Sequence, residues 1–107
     1  MNKYCVVITT FANPEVGGKI TNQLLEMQLA ACIQSFAIQS AYVWEGQVNR
    51  EPETILLIKA KVADYSEIEA CIRSNHDYTT PEVIMLPIEA GSSDYLNWIS
   101  SVTKKQH

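Results

Sequence analysis

The stretch from Ile33 to Ala63, IQSFAIQSAYVWEGQVNREPETILLIKAKVA, decides the fold. Two arms rich in β-branched, aromatic and aliphatic residues centre on Ala41–Gly46 and Glu53–Lys59, and a polar break at Gln47–Pro52 separates them. Asn49 and Pro52 carry turn chemistry there, so the stretch reads as one long β-hairpin. Its first arm, Ile33 to Val48, reaches roughly 50 Å if straight, at about 3.3 Å per residue. A compact domain of this length has a radius of gyration of about 13 Å. The ribbon must therefore bend sharply or project beyond its own domain. A projecting apolar ribbon has edges to cover, and another copy of the chain is the simplest cover.

Working outward, Lys3–Thr10 is a short apolar run of the kind that forms a strand buried on both faces. Asn13 is a good N-cap and Pro14 suits the first helical position. From there Val16, Ile20, Leu24, Met27 and Ala31 recur at helical spacing. Gly17 and Gly18 weaken that helix start by about 1 kcal/mol each against Ala, so it is either soft or tightly packed. Beyond the hairpin, Asp64-Tyr65-Ser66-Glu67 has the form of a capping box, opening a helix that turns Tyr65, Ile68, Cys71 and Ile72 inward. Arg73–Thr80 ends that helix. Pro81–Ile88 is a last strand, with Pro81 and Pro87 at positions that suit a strand start and a sheet edge. Ala90–Ser93 supplies a turn and an N-cap, and a terminal helix puts Tyr95, Ile99 and Val102 on one face, flanked by Leu96 and Trp98. The order β-α-β-β-α-β plus a helix is the split β-α-β pattern of an α+β fold, an antiparallel sheet with two helices on one face. The other face has no cover from this chain, which again predicts a homo-oligomer.

The 107 residues make a single domain, 1–107, with no internal repeat or linker. Net charge is −4 and there is no basic run, which argues against nucleic acid or an anionic membrane surface as partner. No apolar run approaches the ~20 residues of a membrane span. The first ten residues read as a strand and not as a signal peptide. Cys5, Cys32 and Cys71 are odd in number and set in apolar surroundings, as expected of reduced thiols in a cytoplasmic protein.

Chemistry is sparse. There is no phosphate-binding glycine loop, HExxH, CxxC or nucleophile elbow. The histidines are His76 and His107, and the second is the last residue. The densest polar cluster is Asn75–Glu82, between the second helix and the last strand. His76, Asp77 and Glu82 could offer nitrogen and oxygen to a divalent metal, with Cys32 if the fold brings it near. The plain alternative is an ordinary histidine at a helix end. Glu53 and Lys59 share a strand face and can pair, line a cleft or stay solvated. Tyr42 and Trp44 share a face of the first arm and read best as core or subunit contacts. Cys32, on an apolar helix end, reads as a small buried residue.

Taken together, Leu29-Ala30-Ala31-Cys32, Tyr42-x-Trp44-x-Gly46, Glu53 with Ile58-Lys59, His76-x-Tyr78-x-x-Pro81-Glu82-Val83-Ile84, Leu86-Pro87-Ile88 with Gly91, and Tyr95-Leu96-x-Trp98-Ile99 resemble the CutA family of divalent-cation tolerance proteins. The resemblance runs from about Val6 to Val102. It implies a ferredoxin-like fold assembled as a homotrimer, PII-like in architecture, cytoplasmic, without enzymatic activity, and involved in tolerance of copper and other divalent metals. It also implies a cleft between subunits lined by Cys32, Trp44, Glu53, Lys59, Tyr78 and Glu82. A divalent ion such as Cu²⁺ would be held weakly there by His76 and Asp77 and would not be required for folding. Some members place a second histidine and a strand cysteine beside that histidine. Here those positions are Asn75 and Thr9, and Asp77 replaces the family's proline. Two rival readings are a PII-like sensor that binds a small anionic metabolite through Lys59, and a purely structural trimeric scaffold.

Overall fold

The computed structural model describes residues 2–105, so His107 lies outside them. Strand β1 (Tyr4–Phe11) leads into helix α1 (Pro14–Glu26), then β2 (Ala30–Trp44) and β3 (Gln47–Lys61). A 3-10 turn (Val62–Asp64) opens α2 (Tyr65–Asn75), and β4 (Val83–Pro87) and α3 (Ser93–Val102) follow. The sheet order is β2-β3-β1-β4, antiparallel at every pairing. The expected α+β, split β-α-β architecture is thus present, and the proline-bearing β4 lies at an edge where Pro87 does least harm.

The hairpin is real, but its turn is not at Gln47–Pro52. It closes at Trp44↔Gln47 through Glu45 and Gly46, whose φ angles are 51° and 74°. Two consecutive positive φ values give the turn hand that matches strand twist, and glycine supplies one of them without strain. Residues 47–52 therefore belong to β3. Pro52 stands opposite Gln39. Counting alternate pairs from the turn, that is a position where β3 exchanges no hydrogen bond with β2, so the missing N–H is harmless. On its other side β3 meets β1 only from Thr54 to Lys61. The remainder projects as a two-stranded ribbon, and the molecule extends 43 Å along its long axis.

Alternation along β1 sets the layers. Cys5, Val7, Thr9 and Phe11 point to the side where α1 and α2 pack, and with Ile20, Leu24, Ile58, Ile68 and Ile72 they form the core. Asn13 caps α1 by accepting from the Glu15 N–H at 3.0 Å. The helix stops earlier than its apolar spacing suggested. Gln28 adopts φ 57°, and the N–H groups of Gln28 and Leu29 close back on the carbonyls of Leu25 and Leu24. That is a Schellman cap. Met27 is consequently exposed, Ala31 is a bulge residue in β2, and Cys32 lies on a strand and not on a helix end. Gly17 turns out to be the tightly packed glycine: a Cβ there would lie 2.1 Å from Phe11 Cζ, whereas Gly18 faces open space.

The capping box expected at α2 does not form. Asp64 is buried and makes no cap hydrogen bond to the helix; its carboxylate lies 3.9 Å from Lys61 Nζ and 4.0 Å from Lys104 Nζ. Lys61 in turn donates to the Lys104 carbonyl at 2.6 Å, and Lys104 pairs with Glu67 at 2.5 Å. This cluster ties the end of α3 to the start of α2.

The second sheet face is not wholly bare. α3 lies across one end of it, burying Ile99, with the Tyr4 hydroxyl 2.6 Å from Ser100 Oγ. Farther along, Phe36, Ile84 and Leu86 remain about half exposed on the same face.

Candidate functional site

The loop from α2 to β4 is fastened at three points. Asn75 donates through Nδ2 to the Cys71 carbonyl at 2.8 Å and to Gln23 Oε1 at 2.9 Å, while Gln23 Nε2 returns a bond to Asn75 Oδ1 at 3.2 Å. The end of α2 is therefore locked to α1. His76 then leaves the helix in an extended conformation and drops its ring inward, where the side chain is 0% exposed. The Tyr78 N–H donates to His76 Nδ1 at 3.1 Å, which leaves Nε2 as the protonated nitrogen, donating to the Thr10 carbonyl at 2.7 Å. The rings of His76 and Tyr78 lie 4.5 Å apart. The third fastening is the Tyr78 hydroxyl, which donates to Glu53 Oε2 at 2.7 Å.

His76 is thus a bolt between β1 and the loop. A cation could reach its Nδ1 lone pair only by displacing the Tyr78 N–H. Asp77 is half exposed, with Oδ1 3.5 Å from that nitrogen. Among the described residues no group of three or more His, Cys, Asp or Glu side chains is placed to hold a metal.

Between this loop and the hairpin lies a cleft of about 700 Å³. Its walls include Trp44, Tyr42, Glu53, Tyr78 and Glu82, with Thr10 at the end of β1 and the hydroxyls of Ser40, Thr79 and Thr80. Among the described residues no lysine, arginine or histidine lines it. Burial, then the hydrogen bond and charge of Glu53, push the Tyr78 phenol well above the usual tyrosine range. The Glu51 carboxylate accepts from the Tyr42 hydroxyl at 2.7 Å, which chiefly raises that phenol too.

Four of the six cleft residues expected from the resemblance, Trp44, Glu53, Tyr78 and Glu82, come together in this way. Cys32 and Lys59 do not join them within one chain. They face each other across β2 and β3 beneath α3, about 20 Å along the strand from Glu53. There Lys59 Nζ donates to Gln34 Oε1 at 2.6 Å and lies 6.0 Å from the Tyr95 ring centre. Tyr42 was marked by its shared face with Trp44, but read as a contact residue. The Thr10 carbonyl, a backbone group, left no trace in the sequence. The other thiols are inert core groups: burial, helped by the charge of Asp64, lifts Cys5 to about 11, and burial raises Cys71. No helix among the described residues is long and apolar enough to cross a membrane.

The fold and site together define a small α+β protein whose cleft is built from a projecting hairpin and a bolted loop. The chain belongs to the CutA1 divalent ion tolerance protein family, whose pattern it matches over residues 5–102. It is 39% identical over 100 residues to the chloroplastic protein CutA of Arabidopsis thaliana, covering 92% of this chain and 55% of that one. It is 36% identical over 101 residues to the chloroplastic protein CutA 1 of rice, covering 94% of this chain and 57% of that one. The chain thus spans little more than half the length of these plant relatives. The structure of the periplasmic divalent cation tolerance protein CutA from Archaeoglobus fulgidus superposes with a TM-score of 0.91 at 31% identity, covering 94% of this chain and 99% of that one.

Proposed function

We propose that this chain acts, without catalysis, in the response to divalent metal ions of the copper type, as a cytoplasmic homotrimer that holds a cation weakly at a cleft between subunits. The family match over residues 5–102 is the observation that carries the reading. The half-exposed Phe36 on β2 and Ile84 and Leu86 on β4, all on the open sheet face, support assembly, since large exposed apolar residues on one face are a feature of interfaces. Three free cysteines support a reducing compartment. The engagement of both His76 nitrogens supports a weak site, with Asp77 and Glu82 supplying the accessible oxygens. The apolar core supports reading the cation as a ligand that folding does not require. The acidic cleft, with Lys59 held elsewhere, counts against the anionic-metabolite sensor.

Native mass measurement with and without Cu²⁺ tests the assembly, and a monomer at micromolar concentration refutes it. Calorimetric titration with Cu²⁺ tests the site. The expected heat is weak, saturable and reduced in Asp77→Asn and Glu82→Gln. These variants are better probes than His76→Ala, which also removes two buried hydrogen bonds. Equal heats in all three proteins refute the metal site and favour the scaffold.

A further inference from the structure

Glu53 and Lys59 stand on the same face of β3, six residues apart, and that face is the open side of the sheet. Neither finds an opposite charge within its own chain. The Glu53 carboxylate is 9% exposed, and Oε2 accepts from the neutral Tyr78 hydroxyl. Lys59 is half-buried, with Nζ donating to Gln34 Oε1 and lying over the Tyr95 ring, both of them neutral. Among the described residues no ion pair involves either side chain. At about 3.3 Å per residue the two lie roughly 20 Å apart along the strand, too far to meet within one chain.

The other cations of the chain are paired or placed elsewhere. Lys61 and Lys104 lie beside Asp64, Lys104 also pairs with Glu67, and Arg73 lies 4.0 Å from Glu69. Lys19 is on α1, across the sheet, and Arg50 is three residues from Glu53 and so on the opposite face of β3. Lys3 and Lys105 are exposed outside the strands and helices. Lys59 is therefore the cation already set into the open face. Leu86 lies in the same cross-strand row as Lys59, Ile84 in that of Leu57 and Phe36 in that of Ile55, all about half exposed. The open face thus runs from a positive end, across apolar surface, to a negative end. A head-to-tail contact between identical chains brings such ends together, and it closes into a ring when the rotation allows.

We propose that the partner's Lys59 enters the cleft and pairs with Glu53, so that each cleft is completed by the next copy in the ring. The inference rests on the homotrimer reading above and adds the side chain that the neighbour supplies. Withdrawing two opposite charges from water together is tolerated where withdrawing one alone is not. The pair also bears on the metal site. The Tyr78 hydroxyl fastens Glu53 to the loop that carries Asp77, so assembly holds that loop in place. Glu53 and the partner's Lys59 neutralise each other, so the ammonium is not free for an anion. Asp77 and Glu82 are then the carboxylates offered to a divalent ion.

The test is sedimentation equilibrium of the full-length protein, in urea at a concentration that half dissociates the wild type. Lys59→Met keeps the stem and removes the charge, and Glu53→Gln keeps an oxygen for the Tyr78 hydroxyl. Each should weaken assembly about tenfold or more, because it leaves the other charge buried alone. The double variant should be no weaker than the worse single one, since the second change removes a group already without its partner. Glu53→Lys combined with Lys59→Glu should regain most of the assembly that either reversal alone abolishes, a recovery that a merely structural Glu53 would not give. Lys59→Arg should assemble like the wild type while Lys59→Met, with an unchanged circular dichroism spectrum, does not, which keeps the test open if the Glu53 variants fold poorly. A wild type that is monomeric without urea refutes the assembly reading itself. An assembled wild type whose Lys59→Met variant dissociates to the same extent overturns the pair alone, as do additive losses in the double variant or no recovery on reversal.

Discussion

Adjacent glycines in the first turns of α1 are predicted to respond to the same substitution with opposite signs. An alanine Cβ at Gly17 would sit 2.1 Å from Phe11 Cζ and 2.4 Å from both Cε atoms. Carbon atoms normally rest about 3.5–4.0 Å apart, so the ring must retreat by roughly 1.5 Å. Phe11 is buried at the end of β1, and its neighbour Thr10 presents the carbonyl that His76 holds, so there is little room to retreat. Overpacking of this kind costs about 1–3 kcal/mol, and the gain in helix propensity returns about 1 kcal/mol, leaving Gly17→Ala destabilised by up to about 2 kcal/mol. At Gly18 a Cβ meets nothing within 4 Å. Gly18→Ala should therefore gain about 1 kcal/mol from propensity alone. The two variants differ by about 1–3 kcal/mol, or roughly 5–20 °C in melting midpoint for a domain of this size. Thermal unfolding followed by circular dichroism at a single protein concentration measures the gap. Phe11→Leu combined with Gly17→Ala should be less destabilised than the sum of the single changes, because the clash is relieved. Equal midpoints for the two alanine variants, or a higher one for Gly17→Ala, would refute the packing argument.

Gln28 occupies the left-handed position of the Schellman cap at φ 57°, where a side chain costs about 1 kcal/mol. Gln28→Gly should raise stability by about that amount, read as a higher denaturant midpoint at unchanged slope, since the backbone carbonyl that accepts from the Lys104 N–H is kept. An unchanged or lower midpoint would show the position to be unstrained. The Tyr78 phenol is raised by burial and by Glu53. Its contribution to stability is thus present below the unfolded tyrosine value of about 10 and is lost as pH climbs from there through the folded value. Wild-type stability should fall more steeply above about pH 10 than that of Tyr78→Phe. Tyr42, Tyr65 and Tyr95 are raised in both proteins, so parallel curves would clear Tyr78 of the effect.

Signals that act within a few residues were readable in the chain. Asn13 and Pro14 start α1 because a cap and a preset φ are local properties. The period-two arms gave the hairpin, and the element order gave the sheet. Errors arose where long-range structure overrode a local preference. Asn49 and Pro52 are ordinary turn residues, yet the strand passes through them because Glu45 and Gly46 meet the twist requirement earlier and Pro52 falls at an unbonded position. Asp64 could cap α2, but its carboxylate lies instead beside Lys61, three residues earlier, and Lys104, brought from the far end of the chain. Met27 and Ala31 fit the helical period, and a glutamine in a glycine conformation cut it short. The candidate site was half legible for the same reason. Trp44, Glu53, Tyr78 and Glu82 converge, while Cys32 and Lys59, on the same two strands, are separated by strand length alone. Both His76 nitrogens are consumed by backbone groups, which residue identities do not reveal.

The position of β1 inside the sheet has a consequence for synthesis. Its nearest strand partner, Thr54, is made 43 residues after Phe11 (54 − 11), and β4 later still. At translation rates of about 5–20 residues per second, the strand waits roughly 2–9 s for its first ladder. During that interval α1, next off the ribosome, is the first element able to shield Val7 and Phe11. A nascent chain halted before β3 would thus expose an unpaired, apolar central strand, a natural substrate for chaperones.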